Sequence, residues 1–289
     1  NGLKIRVSPV QFWPEPPFIN DPVVDRFFYA LFKIRYNRYK LDYFEGGLKV
    51  EYFFAAESQI PDYLRLSLYG HTHLLWLAGI SVFVVLLSIY YSRLKPYQKK
   101  QFKKTYALFI LFFELLRQII YLVLNRYSLG LLPLHLCGLT EFLIFFHAFS
   151  KNRVIKESLY ALGLIGALMA LLFADWLVYP LLHFQSIHSF VMHGLLLGYI
   201  VMLLWSQELK PNEKLLPQVF GLFFLICFGL YYFNKQYGTN FFFLNYPSPG
   251  SPLVLFEQWV GNPGYIGLTV ILLFIVWIVM YLPWRIGRK

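Results

Sequence analysis

The sequence predicts an all-α, polytopic membrane protein with seven transmembrane helices, its N-terminus outside and its C-terminus inside. Hydrophobic residues make up 58% of its 289 residues and charged residues only 14%, whereas a soluble domain carries about 25% charged residues. Several apolar runs of about 20 residues are each long enough to cross about 30 Å of hydrocarbon. The formal net charge of +11 comes from loops beside these runs, where basic residues orient helices. We therefore expect membrane lipids as partners and no nucleic acid.

Seven apolar runs account for the predicted helices, and with their loops they form a transmembrane domain over residues 66–289. Their ranges are 73–91, 105–124, 131–149, 154–173, 188–205, 216–233 and 265–282. Proline, which cannot continue a helix, marks several of the breaks between them. Both cysteines, Cys137 and Cys227, fall inside apolar runs, so no disulfide is expected.

Lysine and arginine indicate the side of the membrane on which each loop lies. The loops after the first, third and fifth runs and the C-terminal tail are rich in basic residues, and the alternate loops hold few. Because cytoplasmic loops are enriched in lysine and arginine, this pattern places the C-terminus inside. A bacterial inner membrane or a plasma membrane is the expected location. The basic residues concerned are Arg93, Lys95, Lys99, Lys100, Lys103, Lys104, Lys151, Arg153, Lys156, Lys210, Lys214, Arg285, Arg288 and Lys289.

Residues 1–65 are predicted to form an extracytoplasmic arm. They start at Asn1 and lack the short apolar core and cleavage site of a signal peptide, so we expect a removed leader or a shortened chain. Asp21 is a candidate cap for an amphipathic helix over residues 22–39, which we expect to lie on the outer leaflet. Residues 43–52 alternate around a Gly-Gly pair, as in a hairpin. The alternative is a loosely ordered arm that docks on the loops or binds a protein partner.

Polar residues within the apolar runs carry the functional prediction. A charged group at the centre of a membrane helix costs about 2.5–3.5 kcal/mol on insertion scales, so its presence indicates a partner or a function. Glu114 and Gln118 are four residues apart and share one helix face, and Glu141 lies one turn beyond Cys137. We expect these groups to converge with histidines on a polar pocket that opens toward the outer leaflet. The histidines on that side are His71, His73, His135, His183, His188 and His193.

The chemistry that such a pocket supports best is nucleophilic. The thiolate is the reactive form of cysteine, and a histidine or a helix N-terminus favours it. Cys137 lies in the first turns of the third run, so we predict that it is the nucleophile. His193 is the expected general base, with His188 next in line, and Asp175 is expected to orient the base. His135 lies about 200° round the helix from Cys137 and therefore faces elsewhere.

Further polar groups are predicted to bind substrate, holding an ester oxygen or a head group, beneath a loop over residues 234–262 that we expect to cap the pocket. Two plainer interpretations remain open. Cys137 can be an inert core residue, and Glu114 with Arg117 or Gln118 can be a polar knot that joins helices. The substrate-binding candidates are His135, Glu114, Gln118, His183 and Asn240.

Metal binding and proton-linked transport fit the sequence less well. His183, His188 and His193 are spaced by five residues, so neighbouring pairs do not share a helix face as an i, i+4 pair would. We therefore expect no metal site and no cofactor. Proton-linked transport would use Glu114 and Glu141, but no inverted repeat supports it.

Several stretches of the sequence occur in a recognisable order: LPLHLC at residues 132–137, the run at 163–175, His183-Phe184, His193-Gly194 and GTNFFFL at 238–244. Over about residues 65–285 they resemble the YwaF-like family of bacterial seven-helix membrane proteins. The sequence departs from that pattern at three places. They are Met192, where the family has a second histidine, Ala174, where it has proline, and residues 262–265, where it has Pro-Trp-Tyr.

The resemblance extends more distantly to eukaryotic polytopic acyltransferases that remodel ether phospholipids. In that group a cysteine at the place of Cys137 and a later histidine are proposed to carry the reaction. The resemblance therefore implies acyl transfer or hydrolysis on a phospholipid or lysophospholipid, although a shared fold does not fix function. The alternatives are a non-catalytic membrane subunit that binds partners through the arm, and a ligand-binding receptor or transporter.

Overall fold

The computed structural model describes residues 52–248 and 250–286, and throughout this part of the chain the regular structure is helical, without a strand. The α-helices are α1 (His71–Ser92), α2 (Pro96–Val123), α3 (Leu136–Phe149), α4, α5 (Phe184–Trp205), α6 (Leu216–Tyr237), α7 (Leu253–Val260) and α8 (Gly264–Ile286). Helix α4 is continuous but not uniform: it comprises an α-helix (Arg153–Ser158), a π-helix (Leu159–Leu164) and a second α-helix (Ile165–Leu172). Short 3-10 helices stand at Glu57–Gln59, Asp62–Leu64, Leu129–Leu131, Asp175–Val178, Glu213–Leu215 and Phe241–Phe243.

Six of the helices in the described residues are long and apolar enough to cross a membrane: α1, α2, α4, α5, α6 and α8. The seventh predicted span corresponds to α3, which has 14 residues. At 1.5 Å per residue α3 is about 21 Å long, shorter than the about 30 Å of a bilayer core. The predicted span began at residue 131, but the helix begins only at Leu136 because a 3-10 turn and Pro133 precede it. The orientation of the termini stays a prediction.

Helix α5 is the central element, because 78% of its apolar 18-residue stretch is buried inside the protein. Glycines on α5 allow α1 to pack closely against it. A Cβ at Gly198 would lie 2.9 Å from Leu87 of α1, and one at Gly194 would lie 3.3 Å from Ile80. Small residues at helix contacts permit this close approach in membrane proteins. As a result, neighbouring helices pack against α5 along most of its length. Helix α5 carries the buried residues His188 and His193.

The π-helix in α4 connects that helix to both α3 and α8. Toward α3, a Cβ at Gly163 would lie 2.9 Å from the Thr140 side chain. Toward α8, the Trp277 indole donates a hydrogen bond of 2.7 Å to the Ala161 carbonyl, and the Tyr160 hydroxyl donates to Met280 O at 2.7 Å. A π-helix disturbs the regular i to i+4 bonding, and the Trp277 side chain supplies a partner for a carbonyl within it.

The last part of the predicted arm is attached to the connection between α4 and α5. Phe184 N donates to Phe53 O at 2.9 Å, and Leu66, the first residue after the arm, donates from its N to Leu177 O at 2.8 Å. Two predictions for the arm lie outside the described residues: the helix over residues 22–39 and the hairpin over residues 43–52, of which only Tyr52 is described. The described part of the arm therefore fixes the N-terminal end of α5.

Candidate functional site

A thiol and an imidazole from separate helices meet at the start of α3. The Sγ atom of Cys137, which is partly buried, lies 2.9 Å from Nε2 of His193, a buried residue of α5. The other ring nitrogen, Nδ1, lies 2.7 Å from the Ser189 carbonyl oxygen. Because a carbonyl can only accept, Nδ1 must donate, and in a neutral imidazole Nε2 then carries the lone pair. The Cys137 thiol therefore donates its proton toward a nitrogen that is able to take it.

The His193 ring is held by an aromatic neighbour as well as by its hydrogen bond. The Trp176 indole stacks on it, with ring centroids 4.8 Å apart and an interplanar angle of 12°. Trp176 comes from the 3-10 helix Asp175–Val178 and also packs edge-on against Phe190 of α5, at 5.3 Å. The stacking and the Ser189 bond restrict rotation of the imidazole about both of its side-chain torsions.

The backbone at the start of α3 is shaped by a close approach. A Cβ at Gly138 would lie 2.3 Å from the Pro133 carbonyl oxygen, so only glycine fits here without moving the backbone. The first α-helical bond is donated by Leu139 N to His135 O, at 3.0 Å. The amides of the first turn, including those of Cys137 and Gly138, therefore have no partner inside the helix. They point out of the positive end of the helix dipole beside the thiol.

An aromatic turn, formed by Phe241–Phe243, contacts the other side of the start of α3. The His135 ring, at the N-cap of α3, lies 5.1 Å from Phe241 and 5.4 Å from Phe243. Phe242 and Phe243 have φ angles of 56° and 54°, a left-handed conformation that is uncommon outside glycine. The loop predicted to cap the pocket thus reaches the first turn of α3 through its phenylalanine rings.

Asn234, at the end of α6, fixes this turn. Its Oδ1 accepts from Phe241 N at 2.9 Å and from the Thr239 hydroxyl at 2.8 Å, and its Nδ2 donates to Phe241 O at 2.9 Å. Asn240 is engaged within the same loop, donating to Tyr246 O at 2.9 Å. The polar groups of the loop therefore maintain its own conformation, and the rings of Phe241 and Phe243 face the start of α3.

A second polar cluster lies between α2 and the chain that leads into α3. The Arg117 guanidinium donates to both carboxylate oxygens of Glu114, at 2.9 and 2.6 Å, and the Gln118 amide donates to Glu114 at 2.5 Å. Arg117 and Gln118 also donate to the Leu131 carbonyl, at 2.9 and 2.8 Å. Irregular backbone at membrane depth requires such partners. The cluster therefore secures the non-helical segment before Cys137.

Three buried polar atoms at the edge of this cluster have no hydrogen-bond partner among the described residues: Glu141 Oε2, Gln118 Oε1 and His188 Nε2. His188 Nε2 lies 3.7 Å from Glu114 Oε2, and the ring stacks on Phe113 at 4.6 Å. Glu141, one turn beyond Cys137, is 3% exposed. A hydrophilic edge thus extends from the thiol toward α2.

The remaining predicted site residues, Asp175 and His183, make no hydrogen bond to Cys137 or His193 among the described contacts. Asp175 is exposed, and the partner of His193 Nδ1 is the Ser189 carbonyl, not the Asp175 carboxylate. His183 caps α5: its Nδ1 accepts from Gln185 N and its Nε2 donates to Ala55 O, both at 3.0 Å. Burial lowers the pKa of His183 to about 4, so it holds the arm as a neutral ring. Among the described residues, no group of three or more His, Cys, Asp or Glu is arranged to hold a metal ion.

Two contributors to the site had no signal in the sequence. Ser189 acts through its backbone carbonyl, which any residue at that position would supply. Trp176 was one aromatic residue among many, and its contact with His193 depends on the turn after α4. By contrast, Gly138 and Pro133 are visible in the sequence, although their mutual contact is not.

The model of the TMEM164 family matches residues 68–281. This range holds every helix from α1 to α7 and most of α8, together with Cys137 and His193. No curated protein and no solved structure matches the chain. These comparisons support a membrane-protein family over nearly the range expected from the sequence, and they do not support the resemblance to YwaF-like proteins or to acyltransferases.

Proposed function

The chain belongs to the TMEM164 family of membrane proteins, and from this premise we propose that it transfers or hydrolyses the acyl group of a phospholipid or lysophospholipid. In this proposal Cys137 is the nucleophile and His193 is the general base. The observation that carries the proposal is the 2.9 Å contact between Sγ and the lone-pair nitrogen of the imidazole. A nucleophile within hydrogen-bond reach of an oriented base is the signature of covalent catalysis.

The proposed reaction proceeds through a thioester. The Cys137 proton passes to His193 Nε2 as Sγ attacks the ester carbonyl of the donor lipid. The tetrahedral intermediate collapses, the carbon–oxygen ester bond breaks, and the leaving alcohol takes the proton from Nε2. The hydroxyl of a lysophospholipid then attacks the thioester carbonyl and gives its proton to Nε2. The new ester bond forms, the carbon–sulfur bond breaks, and Sγ takes the proton back from Nε2, which restores the thiol and the neutral imidazole. Water in place of that hydroxyl gives hydrolysis.

The first turn of α3 provides donors for the oxyanion. The amides of Cys137 and Gly138, which have no partner inside the helix, lie beside the thiol, and a preorganised donor of this kind lowers a barrier by about 2.7–4 kcal/mol. The Ser189 carbonyl has the orienting role that the sequence assigned to Asp175. It stabilises the imidazolium that forms when Nε2 is protonated, because it accepts the hydrogen on Nδ1.

The depth of the site supports a lipid substrate. The polar segment Ser150 to Asn152 ends α3 on the side away from the thiol. A helix of about 21 Å that ends at one boundary of an about 30 Å core begins roughly 9 Å below the other boundary. In this proposal Cys137 lies among the lipid chains, and the ester group of a lipid reaches it by entering between the helices. We also propose that the protein resides in a bacterial inner membrane or a plasma membrane.

The test is an acyl-transfer assay on the purified full chain, with a labelled phospholipid donor and a lysophospholipid acceptor. Cys137→Ala and Cys137→Ser are expected to abolish transfer, and His193→Gln to reduce it by about 10²–10⁴-fold. Cys227→Ala, which removes the other cysteine, is the matched control and should retain the full rate. Wild-type enzyme should also carry a hydroxylamine-sensitive acyl group. Transfer by Cys137→Ala at the wild-type rate would exclude the nucleophile.

The predicted arm favours a second candidate, a non-catalytic membrane subunit. Phe53 and Ala55 attach the described end of the arm to His183 and Phe184 at the start of α5. This attachment would give the arm a fixed point from which to bind a protein partner. This candidate gains if the purified chain shows no acyl transfer and no acyl adduct, while removal of residues 1–51 abolishes a protein complex.

A further inference from the structure

Three buried polar atoms from α2, α3 and α5 lie near the carboxylate of Glu114. Gln118 Oε1, Glu141 Oε2 and His188 Nε2 have no hydrogen-bond partner among the described residues. The Gln118 amide donates to Glu114 at 2.5 Å, and His188 Nε2 lies 3.7 Å from Glu114 Oε2. The charge of Glu114 also acts on Glu141. Side chains from three helices therefore bring unpaired polar atoms to one place.

These atoms are shielded from the surroundings of the protein. Glu141 is 3% exposed and His188 is 4% exposed. Native proteins leave few buried polar groups unpaired, because such a group loses its hydrogen bonds to water and gains none in return. Three unpaired atoms beside one carboxylate therefore indicate a ligand group that the chain itself does not supply.

The site adjoins the thiol. Glu141 and Cys137 are four residues apart on α3, so they share a helix face and their Cβ atoms are about 5–6 Å apart. This face is turned toward α5, because Cys137 contacts His193 there. The charge of Glu141 acts on the Cys137 thiol. A hydroxyl that is hydrogen-bonded to Glu141 Oε2, at about 2.7–2.8 Å, therefore fits into the interval between the carboxyl group and a carbonyl carbon bonded to Sγ.

The chemistry of the three atoms favours a hydroxyl as the ligand. Gln118 Oε1 can only accept a hydrogen bond, whereas the Glu141 carboxyl group and the His188 imidazole accept or donate according to where a proton resides. A hydroxyl has one donor and two acceptor positions, so it can pair with such a mixed set. A phosphate group would bring only acceptors and negative charge to a site that already contains Glu114. The site therefore suits an alcohol or water and not a phosphate.

We propose that Gln118, Glu141 and His188 bind the hydroxyl of the acyl acceptor beside the thioester on Cys137. This inference rests on the proposed function and gives its second substrate, a lipid alcohol, a binding site. The site holds the hydroxyl before the attack. The attack itself passes the hydroxyl proton to His193 Nε2, as in the proposed reaction, and no bond of the three binding residues forms or breaks.

The acceptor reaches this site from the side of α2. Gln118 is half-buried, so the site extends to the surface of that helix. The surface next to it is apolar: Ile119 and Leu122 are 44% and 55% exposed, as expected of side chains that face lipid. A hydroxyl that arrives across this surface is carried by a lipid. Water is the second source of the same chemistry, and the experiment separates the two.

The experiment measures lipid binding to the full chain carrying Cys137→Ala, in lipid nanodiscs, where no acyl group can be transferred. The probes are lysophosphatidylcholine and its deoxy analogue, which share the chain and the head group and differ by the free glycerol hydroxyl. The hydroxyl compound is expected to bind about tenfold or more tightly. Adding Glu141→Leu should make the two affinities equal. His188→Phe, which keeps the ring that stacks on Phe113, is the second variant if Glu141→Leu does not fold.

Thr140→Val is the matched control, because Thr140 is the buried neighbour of Glu141 and its hydroxyl already donates to Leu136 O at 2.7 Å. It should keep the preference of the Cys137→Ala parent. Equal binding of the two probes by that parent would overturn the proposal and leave water as the occupant. A preference that persists in Glu141→Leu and His188→Phe would also overturn it.

The same assay separates this inference from the proposed function. Because the binding measurement omits the thiol, a preference for the hydroxyl compound without acyl transfer by wild-type protein would retain the hydroxyl site and reject the enzyme. Acyl transfer by wild-type protein without such a preference would retain the enzyme and reject the site.

Discussion

Gly138→Ala tests how closely the backbone at the start of α3 controls the site. The added Cβ would lie 2.3 Å from Pro133 O and 2.5 Å from Pro133 C, whereas real Cβ contacts essentially never fall below 3.0 Å. Because these are backbone atoms, the segment or the first turn of α3 must shift by about 0.7 Å or more. Such a shift lengthens the 2.9 Å contact between Cys137 and His193. A misplacement near 1 Å costs about 10²-fold in rate.

The measurement is the acyl-transfer rate, together with thermal unfolding in nanodiscs. Overpacking is expected to destabilise the fold by about 1–3 kcal/mol, so the rate is compared well below the unfolding temperature. Gly229→Ala on α6 is the control, because no atom lies within 4 Å of its Cβ, and it should retain both rate and stability. If Gly138→Ala folds and transfers acyl groups at the wild-type rate, the close approach does not position the thiol.

Three further predictions follow from the contacts around the site and at the far end of the bundle. Asp175→Asn should keep the acyl-transfer rate within about threefold, while His193→Gln loses about 10²-fold or more, because the Ser189 carbonyl orients the base. Asn234→Ala should lower the unfolding temperature, since it leaves buried groups of the aromatic turn unpaired at about 1–3 kcal/mol each. Burial by itself would raise the pKa of Glu208, but the Lys103 hydrogen bond, with Tyr91 and Lys99, lowers it. The contribution of Glu208 to thermal stability should therefore be fully present above its ordinary pKa of 4.5 and should be lost as the pH falls below that value.

Each of these has an outcome that contradicts it. A large rate loss in Asp175→Asn, with unchanged stability, would show that the carboxylate takes part in the reaction although it makes no hydrogen bond to His193. An Asn234→Ala protein as stable as wild type would mean that the turn is held by its rings alone. Glu208→Gln should flatten the stability curve between pH 6 and 3, and an unchanged curve would assign the acid dependence to another carboxylate.

The long helices were predictable because hydrophobic runs near 20 residues have few alternatives in structure. The third run was different: its composition is as apolar as the others, but Pro133 and the turn at Leu129–Leu131 keep five of its residues out of the helix. Pro133 was the one signal in the sequence that the helix starts later than the apolar run. The sequence offered no comparable signal for the π-helix in α4, which depends on packing against α3 and α8.

The residue types of the site were predictable because few side chains can act as a nucleophile or a base. The directions in which the side chains point were not predictable from the sequence. The sequence holds one cysteine near a helix start on the histidine-rich side, and the structure brings Cys137 and His193 together. The direction in which Asp175 points depends on the turn after α4, which no spacing rule determines. The carbonyl that meets Nδ1 belongs to Ser189, four residues before His193 on the same helix, and a backbone group leaves no mark in the sequence.

The short third helix has a consequence for the fate of a covalent intermediate. A carbonyl attached some way beneath the head groups is in a region where water is scarce and where every neighbouring molecule is an amphiphile. In the proposed reaction the thioester would be shielded from hydrolysis and would persist until a lipid hydroxyl arrives from the side. The dimensions of one helix would thus favour exchange between lipids over their degradation.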